Sequence, residues 1–176
     1  MKIREPAISD AERIRQIYLS AFGKEERDLV ADLAIELLNT ELNPGSLHLV
    51  ADAGDEIVGH ISFSPVTIKD PRESVGYILA PLAVLPGHQK RGMGSILVRR
   101  GLEQLATSEG MVVLVYGDPE YYCRFGFNQE LARTYTTPFP LRYPLGWQAL
   151  AIGGELLPGN LEKIACVESL NKPELW

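Results

Sequence analysis

The residues best suited to chemistry form a loop at positions 89–94, which reads Gln-Lys-Arg-Gly-Met-Gly. Glycines allow tight backbone conformations and let a ligand approach the chain closely. Successive free N–H groups in such a loop form a concavity for anions, and the N-terminus of a following helix adds partial positive charge. Lys90 and Arg91 place two full charges on the rim. The pattern predicts a pyrophosphate-binding loop.

Two other phosphate-binding loops do not fit this segment. A P-loop needs Gly-x-x-x-x-Gly-Lys-Ser/Thr, and the sequence contains no such string. The dinucleotide fingerprint needs a third glycine after Gly92 and Gly94, where Leu97 stands. A kinase and a nucleotide-binding oxidoreductase are therefore disfavoured. The remaining alternative is a glycine-rich helix start without a ligand, and the strand and helix around the loop argue against it.

The elements that flank the loop would hold it in place. Residues 75–85 are apolar on both faces, which is typical of a central strand covered on both sides. Pro81 cannot donate a ladder hydrogen bond, so strand pairing should break or bulge near it. A helix is predicted from Gly92 to about Ser108 and a strand over Met111–Tyr116. Strand, helix and strand in this order suggest a right-handed parallel crossover.

The rest of the chain alternates short helical and extended patterns. Upstream, we predict a strand at 2–5, a helix from the Ser9-Asp10 cap to Gly23, a helix over 25–38, and strands at 46–52 and 56–65. Downstream, Asp118-Pro119 begins a short helix, 134–147 is a proline-containing loop, and 148–152 and 163–169 are strands separated by a turn at 157–160.

Composition limits the class of protein. The chain has 176 residues, of which 45% are hydrophobic, so one domain over 1–176 is expected. The net charge is −6, and the only dense basic cluster is Lys90, Arg91, Arg99 and Arg100. A duplex-binding protein needs a basic excess, so we predict a small polyphosphate ligand and no nucleic acid.

The sequence has no feature that indicates a membrane, a secretion pathway or a metal. No apolar run approaches the length of a membrane span and no signal peptide is apparent, so we expect a cytoplasmic protein without a membrane partner. Cys123 and Cys166 show neither a disulfide framework nor metal-ligand spacing, so no metal is expected and a single disulfide stays open. No sequence pattern indicates the oligomeric state, so both a monomer and a homodimer are compatible with the sequence.

The segment from Pro81 to Gly94 resembles the acetyl-CoA-binding motif of the GNAT superfamily of N-acetyltransferases, Gln/Arg-x-x-Gly-x-Gly/Ala. Tyr122–Phe127 resembles the Tyr-x-x-x-Gly-Phe pattern that follows it there, and the run 117–127 is similar to a bacterial branch labelled YhbS-like. The resemblance covers about residues 1–128. It implies an α/β (α+β) fold with a mixed, mostly antiparallel sheet, helices on both faces and splayed central strands, which 129–176 would complete on the substrate side.

The resemblance also implies roles for individual residues. Backbone groups of Leu82, Ala83 and Val84 would pair with the pantetheine arm, and the Val84 N–H would meet the thioester carbonyl. The pyrophosphate of acetyl-CoA, the co-substrate, would be held by Gln89, Lys90, Arg91, Gly92, Met93, Gly94 and Ser95. Tyr122 would act as general acid on the departing thiolate. Packing beside Phe125 and Phe127 is the structural alternative for Tyr122. For Tyr121, either packing or a place in the substrate wall is expected.

The general base is less evident, since no carboxylate lies on the 75–85 strand. Asp118, His60 and Glu120 are candidates. Asp118 also suits a helix N-cap. His60 shares a strand face with Ser62 and Ser64, which would line a wet substrate cleft, although a structural histidine is the competing interpretation. We expect water to relay the proton of the amine.

The function expected is transfer of an acetyl group from acetyl-CoA to a primary amine of a small molecule or protein. A catalytically weak acyl-CoA-binding sensor or interaction module is the alternative, because it would keep the loop at 89–94 without needing Tyr122. The acidic surface favours the approach of a cationic acceptor. No motif in the sequence identifies that acceptor.

Overall fold

The computed structural model describes residues 1–68, 74–106, 111–153 and 162–176. Its strands are β1 (Lys2–Arg4), β2 (Leu47–Asp52), β3 (Ile57–Ile68), β4 (Ser74–Val84), β5 (Met111–Tyr116), β6 (Tyr135–Thr136), β7 (Trp147–Ile152) and β8 (Glu162–Cys166). Its helices are α1 (Ala11–Ala21), α2 (Arg27–Leu37), α3 (Met93–Leu105), α4 (Pro119–Tyr122) and α5 (Gln129–Ala132). The turn predicted at 157–160 and the predicted end of the third helix near Ser108 lie outside the described residues.

The strands pair in the order β1-β2-β3-β4-β5-β7, and β8 pairs with both β3 and β6. The ladders β1–β2, β2–β3, β3–β8 and β5–β7 are antiparallel, whereas β4–β5 and β6–β8 are parallel. The predicted fold class, a mixed and mostly antiparallel sheet with helices, is confirmed.

Contacts between Cα atoms divide the chain into two compact units. The first comprises Met1–Phe63 and Ala80–Glu103, and the second comprises Ser64–Leu79 and Gln104–Trp176. The single domain expected over 1–176 stays a prediction.

In the first unit, helices cover both faces of β3. The α1 residue Tyr18 is fully buried and contacts His60 of β3, while Ile14 and Ile17 complete the buried side of the helix. Gly59 lies on the opposite face, where an added Cβ would be 3.1 Å from Leu97 of α3. The period of two along a strand explains why His60 and Gly59 face different helices.

In the second unit, β5 lies between β4 and β7. The parallel β4–β5 ladder runs from Gly76↔Val112 to Leu79↔Val115, and no register pair of that ladder extends beyond Leu79 within the described residues. The pairing of β4 with β5 therefore stops near Pro81, where the sequence predicted a break.

The remaining part of this unit follows Phe127. Asn128 caps the short helix α5 by accepting a hydrogen bond from the Leu131 N–H at 2.8 Å. This helix and β6 were not predicted from the sequence. No helix among the described residues is both long enough and apolar enough to cross a membrane.

Candidate functional site

The loop between β4 and α3 contains two left-handed residues. Lys90 has a φ of 59° and Gly92 a φ of 81°. Gly92 is suited to that conformation because it has no Cβ, and an added Cβ would meet nothing within 4 Å. The chain therefore turns sharply over residues 89–92 before α3 begins at Met93.

This turn leaves a run of backbone amides without a protein acceptor. The Gln89 N–H bonds the Pro86 carbonyl at 3.3 Å, and the next backbone bond that the structure shows along the loop joins the Ile96 N–H to the Gly92 carbonyl at 3.0 Å. Within the described residues, the amides of 90–95 make no backbone hydrogen bond of ordinary length and angle. The last three of them belong to the first turn of a 13-residue helix, whose N-terminus carries partial positive charge.

Two cationic side chains flank these amides. Lys90 and Arg91 are both exposed, and neither has a carboxylate partner within the described residues. Free amides, a helix N-terminus and two cations together form an anion-binding surface.

The end of β4 has backbone groups that face away from β3. The Leu85 N–H bonds the Val58 carbonyl of β3 at 2.9 Å. Since successive residues of a strand direct their N–H and C=O groups to opposite sides, Ala83 also faces β3, whereas Leu82 and Val84 face away from it. The Val84 carbonyl accepts a hydrogen bond from Gln89 Nε2 at 2.9 Å, which fixes the loop to the strand. The Val84 N–H and both polar groups of Leu82 are directed away from β3.

Tyr122 lies in a pocket of aromatic rings and backbone. Its side chain is 9% exposed, and its ring centroid is 5.7 Å from that of Phe127. Gly117 leaves room for the ring, because a Cβ there would be 2.6 Å from Tyr122 Cε2. Burial raises the pKa of the Tyr122 phenol, and Tyr121 and Asp118 raise it further. A phenol with its ordinary pKa is already protonated at neutral pH, and this shift leaves the Tyr122 hydroxyl in that state.

Asp118 supports Tyr122 through the backbone. Its Oδ1 accepts a hydrogen bond from the Glu120 N–H at 2.9 Å, and its carbonyl accepts from the Tyr122 N–H at 3.1 Å. These bonds cap and close the short helix α4, which agrees with the structural interpretation of Asp118 as an N-cap.

His60 lies inside the first unit. It is 0% exposed, and its Nδ1 is 2.9 Å from the Tyr18 hydroxyl. Ser62 and Ser64 are equally buried, which agrees with the structural interpretation of His60 and not with a wet cleft on this face. At His60 the covering element is α1, through Tyr18, which strand alternation alone does not reveal.

His48 was missed in the sequence because strand β2 has no motif around it. Its ring stacks on that of His60, with centroids 6.0 Å apart and planes 8° from parallel, and its Nδ1 is 2.9 Å from Ser62 Oγ. Burial lowers the pKa of His48 to about 4, against an opposing effect of the Leu37 carbonyl. Burial and the neighbouring His48 lower the pKa of His60 to about 3.

Other reactive groups do not assemble into a centre. Cys123 and Cys166 are both free thiols. Among the described residues, no three His, Cys, Asp or Glu side chains lie close enough to hold a metal ion.

Residues 11–127 match the acetyltransferase (GNAT) family. The chain is 38% identical over 135 residues to the uncharacterized N-acetyltransferase YjhQ of Escherichia coli strain K12, a match that covers 76% of this chain and 73% of that protein. The match spans the loop at 89–94 and Tyr122.

Solved structures agree with the sequence match. The Escherichia coli GNAT N-acetyltransferase YhbS, solved in complex with CoA, superposes with a TM-score of 0.81 at 27% identity and covers 97% of this chain and 92% of its own. A Brucella melitensis GNAT acetyltransferase, solved in complex with acetyl-CoA, gives a TM-score of 0.73 at 29% identity and covers 96% of this chain and 97% of its own. The chain belongs to the acetyltransferase (GNAT) family.

Proposed function

We propose that this protein transfers the acetyl group of acetyl-CoA to a primary amine, which attacks the thioester directly. The observation that carries the proposal is the run of unpaired amides over 90–95, between the left-handed turn and the start of α3. The complexes of its two relatives with CoA and acetyl-CoA support it.

The chemistry of the loop fits the coenzyme. A diphosphate carries negative charge and many acceptor oxygens, which match consecutive N–H donors, a helix N-terminus and the cations Lys90 and Arg91. Gln89 contributes by fixing the loop to Val84, while Met93, Gly94 and Ser95 contribute the free amides of the first helical turn. The outward backbone groups of Leu82 and Val84 suit the amide-bearing pantetheine arm as an added strand.

When bound, acetyl-CoA would supply an acyl group activated as a thioester. The role of the chain is then to hold the two reactants together and to stabilise the charge that develops. The Val84 N–H, which faces away from β3, would donate a hydrogen bond to the thioester carbonyl. The Tyr122 hydroxyl, which is protonated at neutral pH, would donate its proton or a hydrogen bond to the leaving sulfur, as the family resemblance implies.

Water is our proposal for the path of the amine proton. A lysine-type amine is mostly protonated at neutral pH and must lose a proton before it attacks. Asp118 already uses a carboxylate oxygen to cap α4, and His60 is buried against Tyr18. Neither is assigned as the base.

The acceptor is an amine, and the net charge of −6 favours the approach of a cationic one. Polyamines, aminoglycosides, lysine side chains and protein N-termini all satisfy this condition.

Two measurements test the proposal. A thermal-shift panel should show a clear stabilisation with acetyl-CoA and CoA, and none with NAD or ATP. A screen of amines for release of free thiol from acetyl-CoA should then give turnover with at least one amine class. Absence of stabilisation by acetyl-CoA would contradict the assigned loop. Stabilisation without thiol release from any amine would favour the acyl-CoA sensor instead.

A further inference from the structure

A cleft lies in the first unit, where the start of α1, the end of α2 and the start of β2 meet. Its volume is about 640 Å³, which falls in the range of small-molecule sites. Apolar side chains form most of its wall, chiefly those of Pro6, Ile8, Ala11, Ile35, Leu38 and Leu47. Ile8 at its edge is 98% exposed, which is unusual for a large aliphatic side chain.

The charges of the cleft have one sign. Glu5 and Glu41 belong to its lining, and no lysine or arginine does. Neither carboxylate forms an ion pair within the described residues. An anion would therefore be repelled here, whereas a cation would find two carboxylates that no protein group neutralises.

His48 forms the inner end of the cleft. The residue is 7% exposed, and its Nε2 has no hydrogen-bond partner that meets normal geometry, although the Leu37 carbonyl lies near enough to affect its pKa. Since burial lowers that pKa to about 4, the ring is neutral at pH 7 and adds no positive charge to the wall. The inner wall is thus uncharged and the acidic groups belong to exposed positions.

The cleft is separate from the proposed acetyl-transfer site. His48 lies opposite Ser62 of β3, whereas the end of β4 bonds to Val58 of the same strand. Four residues of β-strand span about 13 Å. An amine bound beside His48 would therefore not reach a thioester held at Val84.

We propose that this cleft binds a small organic cation that has an apolar body. The apolar wall would take the body, and Glu5 and Glu41 would attract the charged group. This ligand would bind at a different place from the acetyl acceptor, so the proposal does not depend on the transferase reaction.

A quaternary ammonium ion tests this, because it cannot be acetylated. Hexyltrimethylammonium is titrated into the full chain without acyl-CoA, beside hexanol and hexanoate as neutral and anionic controls of similar length. Binding is followed by NMR through the backbone amides of Ala7 and Leu47. We expect saturable shifts with the ammonium ion, weaker ones with hexanol and none with hexanoate.

Variants separate the contribution of the two carboxylates from that of the apolar wall. Glu5→Gln with Glu41→Gln should weaken binding of the ammonium ion by roughly threefold to tenfold, the effect of two exposed charge interactions. Glu25→Gln with Glu26→Gln removes the same total charge outside the cleft and should leave binding unchanged. Ala11→Leu fills the cleft and should abolish it.

Three results would overturn the proposal: no saturable binding of the ammonium ion, equal binding of hexanoate, or no effect of the Glu5 and Glu41 substitutions. Since acetyl-CoA takes no part in this experiment, its outcome is independent of the thiol-release screen.

Discussion

At the scale of single residues, the neighbours of Tyr122 determine where its ring lies. Gly117 provides the space for its ring, Phe127 packs against it, and Asp118 closes the helix that carries it. Sequence reasoning left packing and proton donation as alternatives for this tyrosine. The ring is packed and 9% exposed, and its phenol is protonated at neutral pH, so packing does not exclude proton donation.

We predict that Tyr122→Phe lowers turnover by about 10²–10⁴, the usual contribution of general acid catalysis. The KM for acetyl-CoA should barely change, since the substitution removes only the hydroxyl. Steady-state kinetics with the best amine of the screen measures both constants.

Tyr121→Phe is the matched control, because Tyr121 is the neighbouring phenol at 5.0 Å between ring centroids. It should retain turnover. An unchanged rate in Tyr122→Phe would remove the catalytic assignment, and a large loss of thermal stability would assign the tyrosine to packing instead.

His48 and His60 show where residue-level reasoning stops. Alternation along β3 correctly separates His60 from Gly59, because that follows from backbone geometry alone. It does not say which face a helix covers. The contact of His60 with Tyr18 joins residues 42 positions apart, and the stack with His48 depends on strand register. Neither is encoded in a local pattern.

At the scale of elements, the strand, turn and helix around the loop were predicted with bounds close to those observed. The predicted strand 75–85 is β4 (Ser74–Val84), and the helix predicted from Gly92 begins at Met93. These elements could be predicted because a long apolar run and a glycine-containing turn are each visible in a short stretch of sequence. The short α5 and β6 were missed because four and two residues give no measurable period.

We predict that Gly92→Ala weakens acetyl-CoA binding about tenfold. Its φ of 81° is left-handed, which costs an L-residue roughly 1–2 kcal/mol, and nothing within 4 Å would clash with the new Cβ. The loop would relax and misalign its amides.

Gly87→Ala is the matched control, because a Cβ there also meets nothing within 4 Å and the residue is not left-handed. Calorimetric titration with acetyl-CoA compares the two variants. Equal affinities would show that the turn conformation is not needed for binding.

We also predict that Arg91→Ala raises the KM for acetyl-CoA by about threefold to tenfold without changing kcat, since an exposed charge contributes modestly to binding. The effect should shrink as ionic strength rises. Arg100→Ala is the control, because Arg100 lies further along α3 and already pairs with Glu103 at 3.2 Å. If the KM of Arg91→Ala matches that of Arg100→Ala, Arg91 is not part of the site.

At the scale of the whole molecule, stability should respond to pH through the two buried histidines. Among the described residues neither ring pairs with a carboxylate, and burial lowers both pKa values, to about 4 for His48 and about 3 for His60. The unfolded chain binds protons at these residues near pH 6.5, whereas the folded chain does not. Protonation therefore favours the unfolded state, and the stability that the neutral rings provide is complete only above that pH.

We predict that the free energy of unfolding falls as pH decreases from about 7 to about 5, approaching a slope of about 1.4 kcal/mol per pH unit for each histidine. Carboxylates with lowered pKa values, such as Asp10 and Asp52 beside Arg4, would add to the loss only at lower pH. Urea unfolding at several pH values measures the slope. His48→Asn, which can keep a hydrogen bond to Ser62, should reduce the slope by about half while His60 supplies the rest. A stability that is flat over this range would mean that the unfolded and folded chains bind the same number of protons, and that the two rings are not held neutral by the fold.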